Sequence, residues 1–210
     1  MAFIKKKIVV IGGGKGIANL LLGLCRQPVN LSAIVSAMDN GGSTGVIREK
    51  YHTIAVGDFR RALLALSSIN NDLKEMLNYR FSGGFLHGHP LGNLLILGAL
   101  KGGGDANKIF QTSGDVVPVT TNNVHLFAQL ENNRIIKGET NIDIPKHDAR
   151  LKIKKVFLRP AAEANPLALQ KIREADAIVL GPGDLYTSVL PNLLVNGIGQ
   201  AIKKSPARKI

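Results

Sequence analysis

The chain has 210 residues, 45% of them hydrophobic, enough to bury one sizeable core. Its single cysteine, Cys25, excludes an intramolecular disulfide and leaves no basis for a cysteine-based metal cluster, and no apolar run reaches the roughly 20 residues that cross a bilayer. The formal charge of +12 raises nucleic acid as a partner, yet aromatic residues make up only 5% and tryptophan is absent.

The basic residues collect at Lys5 to Lys7, along the run "KHDARLKIKK" and in the C-terminal "IKKSPARKI". A platform for single strands needs aromatic rings in or near such clusters, and Phe157 and Tyr186 are too few to build one. An anionic small ligand accounts for the charge equally well, which argues against nucleic acid. The opening "MAFIKKKIVVIGGG" turns into a glycine loop after a few apolar residues, unlike a secretion leader. A soluble, cytoplasmic protein with no membrane association is the expectation.

Lys7 to Ile11 ("KIVVI") reads as a short buried parallel strand ending in glycines. A helix follows from Ile17 to Cys25, with Cys25 expected as a buried, inert thiol, and Pro28 stops it. "LSAIVSAMD" then forms a second strand and closes a right-handed β-α-β unit. Asp58 reads as the N-cap of a helix from Phe59, "NNDLKEMLNYRF" as another helix, and "LGNLLILGAL" as a third, apolar all round and therefore buried. From "VVPVT" onward the pattern changes. "VHLFAQLENNRIIKGET" alternates apolar and polar residues around Asn132-Asn133 as a hairpin does, and "RLKIKKVFLRP" extends it, so residues 115–160 read as a β-rich extension. Parallel character returns with the helix "NPLALQKIREAD", a strand running into "GPGDLYTS", the helix "LPNLLVNGIGQAIKKS", and "ARKI" as the start of another strand. The fold class is therefore α/β, a Rossmann-like parallel sheet with helices on both faces and a β-hairpin extension, in one domain.

Three glycine-rich loops fall at carboxyl ends of strands, where open parallel sheets bind ligands. They are Gly12, Gly13, Gly14, Lys15 and Gly16; then Asp39, Asn40, Gly41, Gly42, Ser43, Thr44 and Gly45; and then Gly181 to Ser188, with Gly183, Asp184, Tyr186 and Thr187 between. Glycine lets a phosphate approach the backbone, and free N–H groups at the following helix complement its charge. The pattern points to a phosphorylated or nucleotide ligand. The first loop alone is weak, since Ile17 replaces the last glycine of a dinucleotide motif and Gly16 the Ser/Thr of a P-loop. Asp39 can bind ribose hydroxyls, bind a metal, or simply cap a turn. Either Asp58 simply caps its helix and Arg60 and Arg61 are surface charges, or Arg60 or Arg61 faces an anion while Asp58 orients a loop. His87 and His89 have metal-compatible spacing but no partnered ligands, so a loop role is expected and no metal site is assigned. Asn93 either reads a base or sugar edge or caps a helix.

The ordered series "VVIGGGKG", "AMDNGGSTGVIR", "GDFRRALLALS", "GHPLGNLLILGAL", "VVPVT", "IKGET" and "ADAIVLGPGDLYTSVLPNLLV" resembles the YvcK-like proteins, described as gluconeogenesis factors, and more distantly the CofD-type 2-phospho-L-lactate transferases. The resemblance implies binding of a UDP-sugar such as UDP-N-acetylglucosamine, with roles in carbon metabolism, cell-wall synthesis and cell shape. For the CofD branch it implies magnesium-dependent phospholactyl transfer from a guanosine diphosphate donor to a deazaflavin. Gly12 to Gly14, Gly16, Asp39, Gly41, Gly42, Asp58, Asn93, Gly181, Gly183, Tyr186, Thr187, Ser188 and Asn192 match the shared pattern. Lys15 stands where Thr is common and Asn40 where a second Asp is common. The second change removes a carboxylate and weighs against transfer chemistry more than against binding. No catalytic residue is assigned, magnesium is implied only for the transferase branch, and a homodimer is the default assembly. The family continues past "ARKI" with a further strand and a polar glycine loop, which this sequence does not contain.

Overall fold

The computed structural model describes residues 5–146, 148 and 150–210; the basic run noted above is thus described without His147 and Ala149. Strand β1 (Lys6–Gly12) becomes progressively buried along its length, as its apolar half enters the interior. It pairs in parallel with β2 (Val29–Val35) on one side and β7 (Ala177–Leu180) on the other. With β3 (Asp115–Pro118) and β8 (Arg208–Lys209) they form a parallel sheet in the order β3-β2-β1-β7-β8. Residues 115–118 therefore belong to this main sheet, and the separate antiparallel sheet begins at β4.

Helices cover both faces. On one, α1 (Gly14–Leu24), α3 (Val56–Leu66) and α5 (Leu91–Gly102) bury Ile17, Leu21, Leu63 and Ile96 against Val10 and Ala33. On the other, α8 (Pro166–Glu174) and α10 (Ile198–Lys204) bury Ala168, Ile172, Ile198 and Ile202 against Val9, Ile11 and Ile178. Strands β4 (His125–Leu130), β5 (Ile135–Lys137) and β6 (Ile153–Arg159) form an antiparallel sheet, ordered β5-β4-β6. Leu126 and Ala128 of β4 and Ile142 of α7 (Glu139–Asp143) join that second core, so the extension shares the parent sheet's interior. Asn133 takes the left-handed conformation that the hairpin turn requires, at φ 66°.

Four expectations need correction. Cys25 is exposed. It continues the i+4 row of Ile17 and Leu21, but α1 ends at Leu24 and the turn carries the thiol outward. A helix, α2 (Gly42–Tyr51), follows the second glycine loop where no helix was expected; its buried side is Ser43, Thr44, Ile47 and Arg48, with no apolar stripe to announce it. Asp58 is not an N-cap, because α3 starts at Val56 and Asp58 is its third residue. The single helix expected over 190–205 is divided into α9 (Leu190–Leu193) and α10, with Gly197 between them at φ 93°. Two further short helices, α4 (Asn71–Asn78) and α6 (Ala106–Ile109), complete this part of the fold. No helix among the described residues is long and apolar enough to cross a membrane.

Candidate functional site

Because β2, β1 and β7 are neighbours and parallel, their carboxyl ends open on one edge of the sheet, and the three glycine loops meet there. The first and third pack backbone to backbone. A Cβ at Gly16 would stand 2.8 Å from the Pro182 carbonyl oxygen; within the third loop itself, one at Gly183 would stand 2.7 Å from Ser188 Cβ. A Cβ at Gly13 would meet Asp58 Oδ2 at 2.8 Å. These glycines are thus required by the protein's own contacts, whereas Gly42 has nothing within 4 Å of its would-be Cβ.

Asp58 is 6% exposed and reaches across from α3 to accept the Gly14 N–H at 2.7 Å, while its other oxygen accepts from Arg61. Burial raises its pKa, and Asp39 raises it further. Arg60, the neighbouring cation, is also buried; it donates to Asn93 Oδ1 at 3.0 Å and to Asn78. Burial, with Arg61 and Arg80 nearby, lowers its pKa to about 10. Asn93 is neither a cap nor open to a base edge. It is 2% exposed, the third residue of α5, and donates to Ser43 Oγ at 3.0 Å; that hydroxyl is also hydrogen-bonded to His89 Nδ1 at 2.8 Å. His89 therefore braces the second loop, and no three His, Cys, Asp or Glu side chains gather to hold a metal among the described residues.

In the second loop Asp39 Oδ1 accepts the Gly41 N–H at 2.8 Å, and Asn40 Oδ1 accepts the Thr140 N–H at 3.0 Å. Thr44 is buried beside Gly57. In the third loop Asp184 Oδ1 caps the π-helical turn Leu185–Val189 by accepting from Tyr186 N–H (2.9 Å), Thr187 N–H (3.0 Å) and Thr187 Oγ1 (2.9 Å). Asn192 is fully buried and donates to the Ser188 carbonyl at 2.7 Å. Asp184, Thr187 and Asn192 shape the loop. Gly14, Lys15, Gly42, Tyr186 and the Ser188 hydroxyl, close to Gly14, remain accessible.

The residue that the sequence reading missed is Glu139. The left-handed Gly138 (φ 92°) turns β5 into α7 and brings this carboxyl, from "IKGET", up to the second loop. Burial first, then Asp39, Asp143 and Asp58, push its pKa up to about 7 from an ordinary 4.5. Between those values the folded state holds a proton that the unfolded chain has released, so stability falls as pH rises from about 5 to 8. The full shift would be worth about 3 kcal/mol, reduced to about 1–2 kcal/mol because the group is partly solvated. Urea unfolding at pH 5 and pH 8 is expected to show that loss in the native chain and a smaller one in Glu139→Gln; equal losses would contradict it.

Beside the second loop lies a cleft of about 490 Å³, lined by Asn40, Gly42, Gly45, Arg48, His52, Asn123, His125 and Lys137 among others. Burial, then Arg48 and Lys137, lower the His125 pKa, as a locally positive potential does. A cavity of about 320 Å³ at the opposite sheet edge is bounded by Lys7, Asn30 and the Lys171–Asp115 ion pair (2.6 Å), away from every glycine loop.

Residues 8–210 match the family described as 2-phospho-L-lactate transferase CofD. The gluconeogenesis factor of Halalkalibacterium halodurans is 45% identical over 216 residues, spanning 98% of this chain and 66% of that protein. That of Bacillus subtilis is 40% identical, spanning 98% and 67%. A crystal structure of a UPF0052 family member from Bacillus halodurans superposes with a TM-score of 0.93 at 42% identity, covering 99% of this chain and 68% of its own. The chain thus spans about two thirds of these relatives' length. With these motifs in this order on this fold, the chain belongs to the CofD family, on the YvcK-like branch whose relatives are named gluconeogenesis factors.

Proposed function

We propose that the chain binds a nucleotide sugar of the UDP-N-acetylglucosamine kind and acts as a regulator linked to carbon metabolism, cell-wall synthesis and cell shape. The observation that carries this reading is a pair of helix N-termini at adjacent strand tips, α1 and α2. Their N-caps are Gly13 and Gly41, with no side-chain cap bond and no acidic residue in the first turn of either helix. Asn70, Asp105 and Asn165 cap α4, α6 and α8 with side-chain oxygens; α3, α5, α7, α9 and α10 share the lack of a side-chain cap, but only α1 and α2 follow glycine loops at neighbouring strand tips. First-turn amides have no partner within their own helix; Asp58 takes the Gly14 N–H of α1, and the amides that follow it, beside the open Gly42 start of α2, favour an anion. In this reading the diphosphate lies over the Lys15 and Gly16 amides with the Lys15 ammonium beside it and Ser188 Oγ at its flank. Asp39 and Asn40 face the ribose or sugar.

Calorimetric titration with UDP-N-acetylglucosamine is expected to give saturable heat, and Lys15→Ala to weaken binding about tenfold, the size of one charge-assisted hydrogen bond. Absence of heat from folded protein would overturn the reading.

The second reading is a transferase, favoured by one observation: Asp39 lies near enough to Asp58 and to Glu139 to add to the rise in pKa that burial gives both. Magnesium would supply charge to offset a departing nucleotide. Asp39, with phosphate oxygens, would be the side chain to hold it, since both Asp58 oxygens are engaged by Gly14 and Arg61. Incubation with guanosine-linked phospholactate, a deazaflavin and magnesium is expected to yield no product; turnover would establish the transferase instead.

A further inference from the structure

Strand β4 buries Leu126, Ala128 and Leu130, so His125, Phe127 and Gln129 point to the other side of the antiparallel sheet. Register then fixes their neighbours. Phe127 stands opposite Phe157 on β6 and Lys137 on β5, His125 opposite Arg159, and Gln129 opposite Lys155 and Ile135. This face carries two phenyl rings, three full cations and a histidine, and none of its strand positions is a carboxylate, in a chain that has 15. The rings are stacked with centroids 5.5 Å apart and planes 12° apart. The Arg159 guanidinium lies 5.0 Å from the Phe157 centroid and 5.8 Å from that of Phe127, and Lys155 Nζ lies 5.8 Å from Phe157. Among the described residues Lys137, Lys155 and Arg159 take part in no ion pair.

Solvated sheet faces commonly balance charge across strands, because like charges side by side repel. Here the cations stand unbalanced around half-buried apolar rings on the side of the sheet that faces away from the core. A polyanion with planar apolar groups answers both features at once. We propose that this face binds single-stranded nucleic acid, its bases stacking on the Phe127–Phe157 pair and its phosphates following Lys137, Lys155 and Arg159. Phe157 alone is too little for such a platform; the strand register supplies Phe127 beside it. Bases within a duplex keep their faces covered by their neighbours, so a stacking platform selects single strands over duplex. His125 and Lys137 also line the cleft beside α2, so the positive path continues past the sheet edge. The stacking face itself contains no residue assigned to the nucleotide sugar; only the cleft beyond it shares Asn40 with that site.

The test is fluorescence anisotropy of the 210-residue chain with a labelled twelve-nucleotide oligouridine RNA, beside a duplex of equal length and phosphatidylserine vesicles. The single strand is expected to bind with a Kd of about 1–100 μM at 0.15 M salt. Phe127→Ala/Phe157→Ala should weaken it at least about tenfold. Lys155→Ser/Arg159→Ser should make the slope of log K against log salt shallower by about 1.4, two phosphate contacts' worth. Thermal melting checks folding; if the alanine pair unfolds, Phe127→Leu/Phe157→Leu keeps apolar bulk while removing stacking and should weaken binding likewise. No binding, equal binding of duplex, preference for vesicles, or single-strand binding untouched by the leucine pair would each overturn the proposal.

Discussion

Replacing Arg48 by alanine is expected to destabilise the fold by about 3–5 kcal/mol and to remove ligand binding with it. This side chain is 2% exposed and lies on α2. Its Nη1 donates to the Met38 carbonyl at 2.9 Å and the Asp39 carbonyl at 3.0 Å; its Nη2 donates to Asn123 Oδ1 at 3.1 Å and to the Val124 carbonyl. One guanidinium thus ties the loop holding Asp39 to the chain entering β4. Without it several buried acceptors lose their donor at once, each costing about 1–3 kcal/mol before relaxation and water entry reduce the sum. Lysine cannot replace the fork, because an ammonium is a point donor that reaches one cluster of acceptors and leaves the other. Arg48→Lys is therefore expected to recover less than half of the loss. Urea unfolding of both variants is the measurement, and an Arg48→Ala chain within about 1 kcal/mol of the native one would refute the clamp.

The sequence made β1, α1 and β2 legible because their apolar residues recur with unmistakable spacing and glycines mark their ends. Helix α2 was not legible for the opposite reason: its buried side is made of hydroxyls, one isoleucine and Arg48, whose place in the interior depends on partners 75 and 76 residues away. The same limit applies to the site. The meeting of three loops at one edge follows from strand order, which the β-α-β pattern anticipates. Whether Asp58 caps its helix or orients a loop, and whether Asn93 caps a helix or meets a ligand, is set by single distances, and the structure makes both residues braces. Glu139 lay in a quoted motif with no role because nothing local says that a hairpin 100 residues downstream of Asn40 returns to it; the Thr140–Asn40 hydrogen bond shows that it does.

Glycine identity has two causes here, and substitution separates them. Gly45→Ala is expected to cost about 2–3 kcal/mol by overpacking and to weaken ligand binding by more than about tenfold. Its Cβ would overlap the Asn40 carbonyl oxygen and come within 3.0 Å of the carbonyl carbon, backbone atoms that cannot swing aside. The displaced Asn40 is the residue bonded to Thr140, so the shift would pass from the second loop into α7, where Glu139 sits. Gly42→Ala meets open space but must hold φ near 43°, a strain of about 1–2 kcal/mol. Gly98→Ala is the internal control: it lies exposed within α5 with nothing within 4 Å of the added carbon, and should stabilise the chain by about 0.5–1 kcal/mol. Thermal and urea unfolding of the three variants, read with nucleotide-sugar titration, is expected to give the order Gly98→Ala above native, then Gly42→Ala, then Gly45→Ala. A Gly45→Ala chain as stable as Gly98→Ala would mean that the second loop yields freely, and the geometry assigned to Asp39 and Asn40 would lose its physical basis.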